Sequence, residues 1–579
     1  MEQFLDAQRE VMSAFLGGSF APSAAPMELF AFPDFTLPAV EPVPETPFAL
    51  VESIVHHEPG REIVFRRVMD EREDRYADDH TLGGRGVSRT DPAQNGLPVL
   101  PMTFSLEAMS EAAALLAPGK VVVAIRNVRL FRWLPFDPGT TTLEVHAAVA
   151  SVDPDTGVVE VKADVRDLGN SFLRDGASKP ASEAVVVLAD AYPAPPAPLP
   201  FALTDEVPCK SSIEDLRRNM FHGPLFQMLR TLARTGREGI EGTLEVQPRD
   251  GWFASNAYPR FAIDPVLLDA GMHIFGAWHL EQPDWTGRIL LPFEVQKLEY
   301  YGPTPPVGSH LLVRGHNEQE SARHYRHALE VFDTDGNLWL RMTGAGYWRF
   351  YLPFGHVNFF GPKDEYYLSR DWPEAVAANA AFARCHFLDP PADLKQPVLR
   401  AAGARVTMTP TELDTFNNWT GTDAELNDWF FGRMLAKDAA RAAWTRKHGA
   451  AIFPADIETA EVDGRIVCRP RGEAGEPLPP VRVAISDGKV AAFAAFAERV
   501  GVALQPVAKN AAPEVERDTR AQAACLALAD ALRVPADGCT LDALDATGAA
   551  TVSAGGRRVR VQTARMKDVV VATTLCEPA

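Results

Sequence analysis

From Asp264 to Leu280 the chain reads DPVLLDAGMHIFGAWHL, a stretch that predicts a helix carrying an acid and a histidine on one face. Asp264 is placed to cap the first turn, and Pro265 suits the first helical position, where no backbone amide is needed. Asp269 and His273 stand four apart, so one face carries both. Strands follow: EVQKLEYYGPTPPVG from Glu294 ends in a Pro/Gly turn, and HALEVFDTDGNLWLRMTG gives two strands turning at Asp333 to Gly336. The same order occurs earlier in the chain. SLEAMSEAAALLA after Pro101 predicts a helix, NVRLFRWLPFDPG from Asn127 a strand ending in a Pro/Gly turn, and AAVASVDPDTGVVEVKADV a strand pair turning at Asp153 to Gly157. A long helix followed by antiparallel strands, given twice, implies an α+β fold of two antiparallel sheets, each wrapped around a central helix.

Breaks in composition divide the remainder. Residues 1–18 predict an amphipathic docking helix, with Phe4, Leu5, Val11, Met12, Phe15 and Leu16 on one face and Gly17-Gly18 ending it. Residues 19–44 are a proline-rich linker. The two related halves occupy 45–190 and 201–350, separated by YPAPPAPLP at Tyr192 to Pro200. Residues 352–399 read as a second linker and 400–579 as a further domain. Lys plus Arg (57) against Asp plus Glu (77) gives a net charge of −20, which offers no broad basic footprint to nucleic acid. No apolar run approaches the ~18 residues of a membrane helix. Glu2, Asp6 and Glu10 stand where a signal peptide would be positive, so a cytoplasmic protein with no membrane partner is expected. The six cysteines form no CxxC pair and are expected to be reduced thiols; no HExxH or clustered acidic set marks a metal, and none is expected.

Four motifs carry a resemblance. His80-Thr81-Leu82-Gly83-Gly84 fits HxxxG, GLPVLP at Gly96 to Pro101 fits GxxxxP, FHGPLFQ at Phe221 to Gln227 is similar to YGPxFQ, and DAGMH at Asp269 to His273 fits DxxxQ/H. In this order, over residues 45 to 350, the chain resembles the dehydratase domains of polyketide synthases and polyunsaturated fatty-acid synthases. That resemblance implies a double hotdog fold. It also implies a 3-hydroxyacyl-[acyl carrier protein] dehydratase, a hydro-lyase that removes water to leave the 2-enoyl thioester. His80 would take the α-proton and Asp269 would protonate or hydrogen-bond the departing hydroxyl. His273, Gly83, Gly84, Gly96, Pro101, His222, Gly223, Pro224 and Gln227 would line the substrate. The partners implied are an acyl carrier protein, which presents the substrate on phosphopantetheine, and other synthase domains or subunits. Related synthases are commonly dimers, so a homodimer is compatible. No cofactor is implied for the dehydration itself.

The chemistry explains the residue types. Loss of water from a 3-hydroxyacyl thioester needs a base for the α-proton and an acid for the hydroxyl. Apolar neighbours of Asp269 (Val266, Leu267, Leu268, Met272, Ile274, Phe275) would favour a neutral acid, while the nearby helix N-terminus favours the anion. Gly83, Gly84 and Gly96 are candidates to offer backbone amides to the thioester oxygen. Two features depart from the family pattern. The step from Gly84 to Gly96 lengthens the loop expected over the site, and His222 stands where the family has tyrosine. A cyclase of the product-template kind, using the same dyad, and a non-catalytic scaffold binding acyl carriers are the alternatives.

From Ala424 the chain resembles 4′-phosphopantetheinyl transferases, giving an α+β domain over 400–579. The segments are AELNDWFFGRMLAKDAARAAW with Lys437-Asp438, then Asp456-Ile457-Glu458, then Ser486-Asp487 at the SH position and Gly501 to Gln505 at the GIDxE position. Alanine and glutamine replace the carboxylates there, and magnesium needs charged oxygen ligands. The domain therefore reads as degenerate and Lys437-Asp438 as an exposed helix pair. Retained transferase activity, with magnesium and coenzyme A, is the opposite reading.

Overall fold

The computed structural model describes residues 48–136, 140–168, 179–282, 288–321, 324–351, 363–472 and 476–576. The expected N-terminal helix (1–18) and proline-rich linker (19–44) lie outside them. The chain forms two compact units: one holds the described residues up to Arg85 and from Gly96 to Tyr351, with Gln396–Val398, and the other holds Gly86–Asn95 and the described residues of His356–Lys395 and Leu399–Ala579.

In the first unit the strands are β1 (Ser53–Glu58), β2 (Glu62–Asp70), β3 (Thr81–Leu82), β4 (Leu97–Pro98), β5 (Val121–Leu130), β6 (Thr140–Val152), β7 (Val159–Asp167) and β8 (Ser182–Ala189) in the first half. The second half adds β9 (Val207–Pro208), β10 (Leu229–Gly236), β11 (Gly239–Glu245), β12 (Arg288–Tyr300), β13 (His310–Glu320), β14 (His324–Phe332) and β15 (Leu338–Tyr351). Apart from the short β3–β4 ladder they form one antiparallel sheet of 13 strands, ordered β1-β2-β6-β7-β8-β5-β12-β15-β14-β13-β11-β10-β9. The two sheets expected from the repeat are thus halves of one, joined where β5 pairs with β12, Val295 opposite Val128 and Leu298 opposite Ile125. Each half would otherwise end in an open edge of unpaired amides and carbonyls, and pairing edge to edge removes it.

Alternation decides which faces are buried. On β7, Val159, Val161, Ala163 and Val165 are buried while the intervening Glu160, Lys162, Asp164 and Arg166 are less so. The buried face covers the helix α1 (Met102–Leu116), whose Phe104, Leu106, Met109, Ala112, Ala113 and Leu116 are fully enclosed. After a short helix α2 (Ile213–Arg218), the second half wraps the helix α3 (Pro265–Leu280). Asp264 caps α3 by accepting from the Leu267 amide at 3.0 Å, and Arg249 holds its other carboxylate oxygen at 2.7 Å.

The second unit holds two sheets, a hairpin and long helices. Within the expected linker 352–399, the strand Arg384–Leu388 pairs with Lys489–Ala494, which pairs in turn with Val481–Ser486; this stretch is part of the unit's core, with Cys385 fully buried. A five-stranded sheet runs Arg499–Pro506, Val569–Cys576, Arg557–Met566, Ala549–Ala554, Cys539–Leu544, packed on the helix Pro513–Leu532. Gly501 is required there because a Cβ would stand 2.0 Å from the Ala527 carbonyl oxygen. Asp487-Gly488 is the two-residue turn between paired strands, both at positive φ (51° and 70°). Lys437 and Asp438, expected on an exposed face, are buried on the helix Asp423–His448. Lys437 donates to Glu412 at 2.5 Å and to the Thr407 carbonyl at 2.7 Å, and Asp438 accepts from the Ser369 amide at 3.0 Å and hydroxyl at 2.6 Å. Charge can be buried there because each group finds a partner. All six cysteines are free thiols. Among the described residues no helix is long and apolar enough to cross a membrane.

Candidate active site

His80 follows the short 3₁₀ turn Arg75–Asp79 and pairs across a single β-bridge with His222. Its Nδ1 lies 2.6 Å from the Val99 carbonyl oxygen, an acceptor, so Nδ1 carries the proton and Nε2 keeps its lone pair. Phe221 meets the ring edge-on at 4.9 Å and Phe226 lies at 5.5 Å, so the imidazole is only 9% exposed. Burial lowers its pKa below the usual 6.5, outweighing the Asp269 charge that raises it. His222 is lowered much further, by burial first and then by the neighbouring His273 and His80.

Asp269, one turn into α3 and 6% exposed, completes the cluster. Its Oδ1 accepts from His273 Nε2 at 3.1 Å and lies 3.5 Å from His222 Nε2. A ring nitrogen of His80, one of His222 and a carboxylate oxygen of Asp269 all fall within 4.8 Å of one another. Three of the four sequence motifs thus bring His80, His222, Asp269 and His273 together, and the fourth supplies the Val99 carbonyl that holds His80. A proton and a hydroxyl on adjacent carbons fit between a base and an acid so spaced.

The other sequence candidates support the loops. Gly83 and Gly84 adopt φ of 100° and 75°, which favours glycine. The Gly84 amide donates to the Thr81 carbonyl at 3.0 Å and the Gly96 amide to the Gly84 carbonyl at 2.8 Å. Those two amides are spent on the turn, so the expected role of Gly84 and Gly96 as donors to a thioester oxygen is corrected. Gly96 is glycine because a Cβ would lie 2.2 Å from the Leu82 carbonyl oxygen. Pro101 caps α1, and Pro224 opens the 3₁₀ turn Pro224–Phe226. Gln227 donates from Nε2 to the His222 carbonyl at 3.0 Å, tying off the turn that presents His222. The residues lengthening the Gly84–Gly96 loop pack within the second unit. There the Asp456 carboxylate accepts from the Ser88 hydroxyl (2.5 Å), the Arg89 amide (3.0 Å) and the Thr90 hydroxyl (2.9 Å).

Asp79 is the site residue that motif reading missed. Buried beside His80, it accepts from the Leu225 amide at 2.8 Å through Oδ2 and from Arg85 through Oδ1, while its backbone carbonyl accepts from the Gly223 amide at 2.8 Å. A Cβ at Gly223 would stand 2.1 Å from Asp79 Oδ1. The sequence signal for it is an acid directly before His80, in Asp78-Asp79-His80.

Residues 212–349 match the family described as polyketide synthase dehydratase N-terminal domain. A polyunsaturated fatty acid synthase polypeptide of Thraustochytrium sp. is 25% identical over 286 residues, 49% of this chain and 9% of that protein; the chain thus spans a small part of its relative's length. Among solved structures, a trans-AT polyketide synthase dehydratase domain from Brevibacillus brevis aligns with a TM-score of 0.40 at 16% identity, covering 52% of this chain and 98% of that one. The dehydratase domain from the CurJ module of the curacin polyketide synthase aligns with a TM-score of 0.37 at 14% identity, covering 53% and 99%. The matched residues are those of the second half of the first unit, so the segment that supplies Asp269 and His273 is similar to the polyketide synthase dehydratase family.

Proposed function

We propose that the hotdog unit dehydrates a 3-hydroxyacyl thioester carried on an acyl carrier protein, as one activity of a polyketide or polyunsaturated fatty-acid synthase. The observation that carries this reading is the pairing of a neutral imidazole, fixed by Nδ1 on Val99, with a carboxyl group whose oxygen stands within 4.8 Å of it. His80 Nε2 takes the α-proton, the C–H electron pair becomes the new C=C bond, and the C–O bond breaks as Asp269 gives its proton to the leaving hydroxyl. Water and the enoyl thioester depart, and return of the proton from His80 to Asp269 resets the site. In the test, His80→Ala and Asp269→Asn are each assayed for water loss from a 3-hydroxyacyl carrier. A fall on the order of a hundredfold or more is expected for both. Unchanged turnover in either variant contradicts the dyad, and a cyclised product from the parent favours the cyclase.

The second unit keeps a transferase's segment order without its chemistry. Lys437 and Asp438 are bound to Glu412 and Ser369, and Ser486-Asp487 leads into a strand turn. With Ala503 and Gln505 at the carboxylate positions, these residues do not fit a magnesium site. Incubation with apo carrier protein, coenzyme A and magnesium is expected to give no labelled carrier, and efficient labelling would reverse this reading.

A further inference from the structure

We propose that His80, His222 and Asp269 form a binding site for one divalent transition-metal ion of the zinc type, and that its occupancy switches the dehydration off. The donor atoms of the three residues lie within 4.8 Å of one another. His222 Nε2 and Asp269 Oδ1 are 3.5 Å apart, close to the roughly 3.4 Å edge expected of a tetrahedron whose corners stand about 2.1 Å from zinc. Two imidazoles and one carboxylate suit zinc, cobalt or iron, whereas magnesium and calcium prefer oxygen alone.

His80 and Asp269 have the supporting contacts a metal ligand needs, while His222 Nδ1 is buried without a partner. His80 turns its Nδ1 proton onto the Val99 carbonyl at 2.6 Å, leaving Nε2 to bind. His273 donates to Asp269 at 3.1 Å and fixes the carboxylate. Three protein ligands leave a fourth position for water or a substrate oxygen. The second imidazole comes from His222 of FHGPLFQ, at the place where the resembled motif has tyrosine, and without it His80 and Asp269 offer two ligands rather than three. Local motifs gave no sign of it because the ligands come from three distant segments.

A metal held by His80 Nε2 occupies the lone pair that takes the α-proton. The inhibitory consequence therefore rests on the proposed dehydration, but binding does not, and the two are measured apart. The full chain, stripped with chelator, is titrated with zinc sulfate by calorimetry, and cobalt(II) is used to read coordination from its visible absorption. One equivalent of zinc is expected, with a tetrahedral cobalt spectrum. His222→Tyr and Asp269→Asn should each weaken binding about a hundredfold or more, and His56→Ala should leave it intact. His56, with Glu58 and Glu62, forms the exposed rival cluster. Binding that survives both site variants, or that disappears with His56→Ala, would overturn the proposal, as would the lack of binding at micromolar zinc. Zinc should also inhibit the parent competitively with substrate while inhibiting His222→Tyr far less; a folded chain that binds zinc yet never dehydrates would refute the functional reading alone.

Discussion

Asp79 and His80 divide the work in the candidate site. His80 faces Asp269, and Asp79 clamps the turn that brings in His222, through the Leu225 amide and the close approach of Gly223. Gly223→Ala must therefore displace either the Asp79 carboxylate or the turn. A destabilisation of about 1–3 kcal/mol is expected, read from denaturant unfolding, together with a lower kcat. An unaltered unfolding midpoint would contradict the packing. The His80 environment makes a pH prediction with a definite sign. A base works unprotonated, and burial lowers the His80 pKa below 6.5, so kcat/KM should hold steady as pH falls to 6.5 and decline only beneath it. An acid limb centred above pH 6.5 would mean that the imidazole is more easily protonated than its surroundings imply.

Helix α1 buries two carboxyl groups, Glu107 and Glu111, among its apolar side chains. Glu107 accepts from the Ala262 and Ile263 amides at 2.6 and 2.7 Å, just before α3, and Glu111 accepts from the Leu50 amide at 2.9 Å. Burial raises both pKa values, Glu111 to about 8. A carboxyl whose folded pKa exceeds its unfolded one lends stability below the unfolded value, about pH 4.5, and loses it as pH rises through 8. The parent's melting temperature should thus drop by several degrees more than that of Glu111→Gln between pH 5 and 8, in calorimetric scans. In the second unit, Asp456→Ala removes the acceptor for the Ser88–Thr90 turn, and hydrogen exchange at the Arg89 and Thr90 amides should speed up about tenfold or more. The contrast with what could be read locally is physical. Helices α1 and α3, the Asp264 cap of α3 and the two glycine turns follow from local sequence pattern and capping chemistry, and His80 and Asp269 from motifs. The strand Arg384–Leu388 and the burial of Lys437-Asp438 depend on distant partners, Lys489–Ala494 in one case and Glu412 and Ser369 in the other. Nothing within a dozen residues encodes such partners.

The pairing of β5 with β12 has the same origin: the repeat revealed two halves, but their joining is a property of strand edges that neither half specifies by itself. It also sets how the first unit should come apart. One apolar core runs through both halves, and at the shared seam Ile125, Val128, Val295 and Leu298 are essentially free of solvent. His80 comes from one half and Asp269 from the other, so a site with one member on each helix-and-sheet half keeps its spacing only while the seam holds. Leu298→Ala removes buried methyl groups at that seam, at a cost of about 2–5 kcal/mol. If the halves form one cooperative body, the loss must appear on both sides. Hydrogen exchange monitored by mass spectrometry should then show earlier opening of β7, in the first half, and of β13, in the second, by similar factors. Dehydration should fall with them, since either half alone holds only one member of the dyad. Accelerated exchange confined to β13 would show that the halves are separately stable and that the continuous sheet contributes little to holding His80 against Asp269.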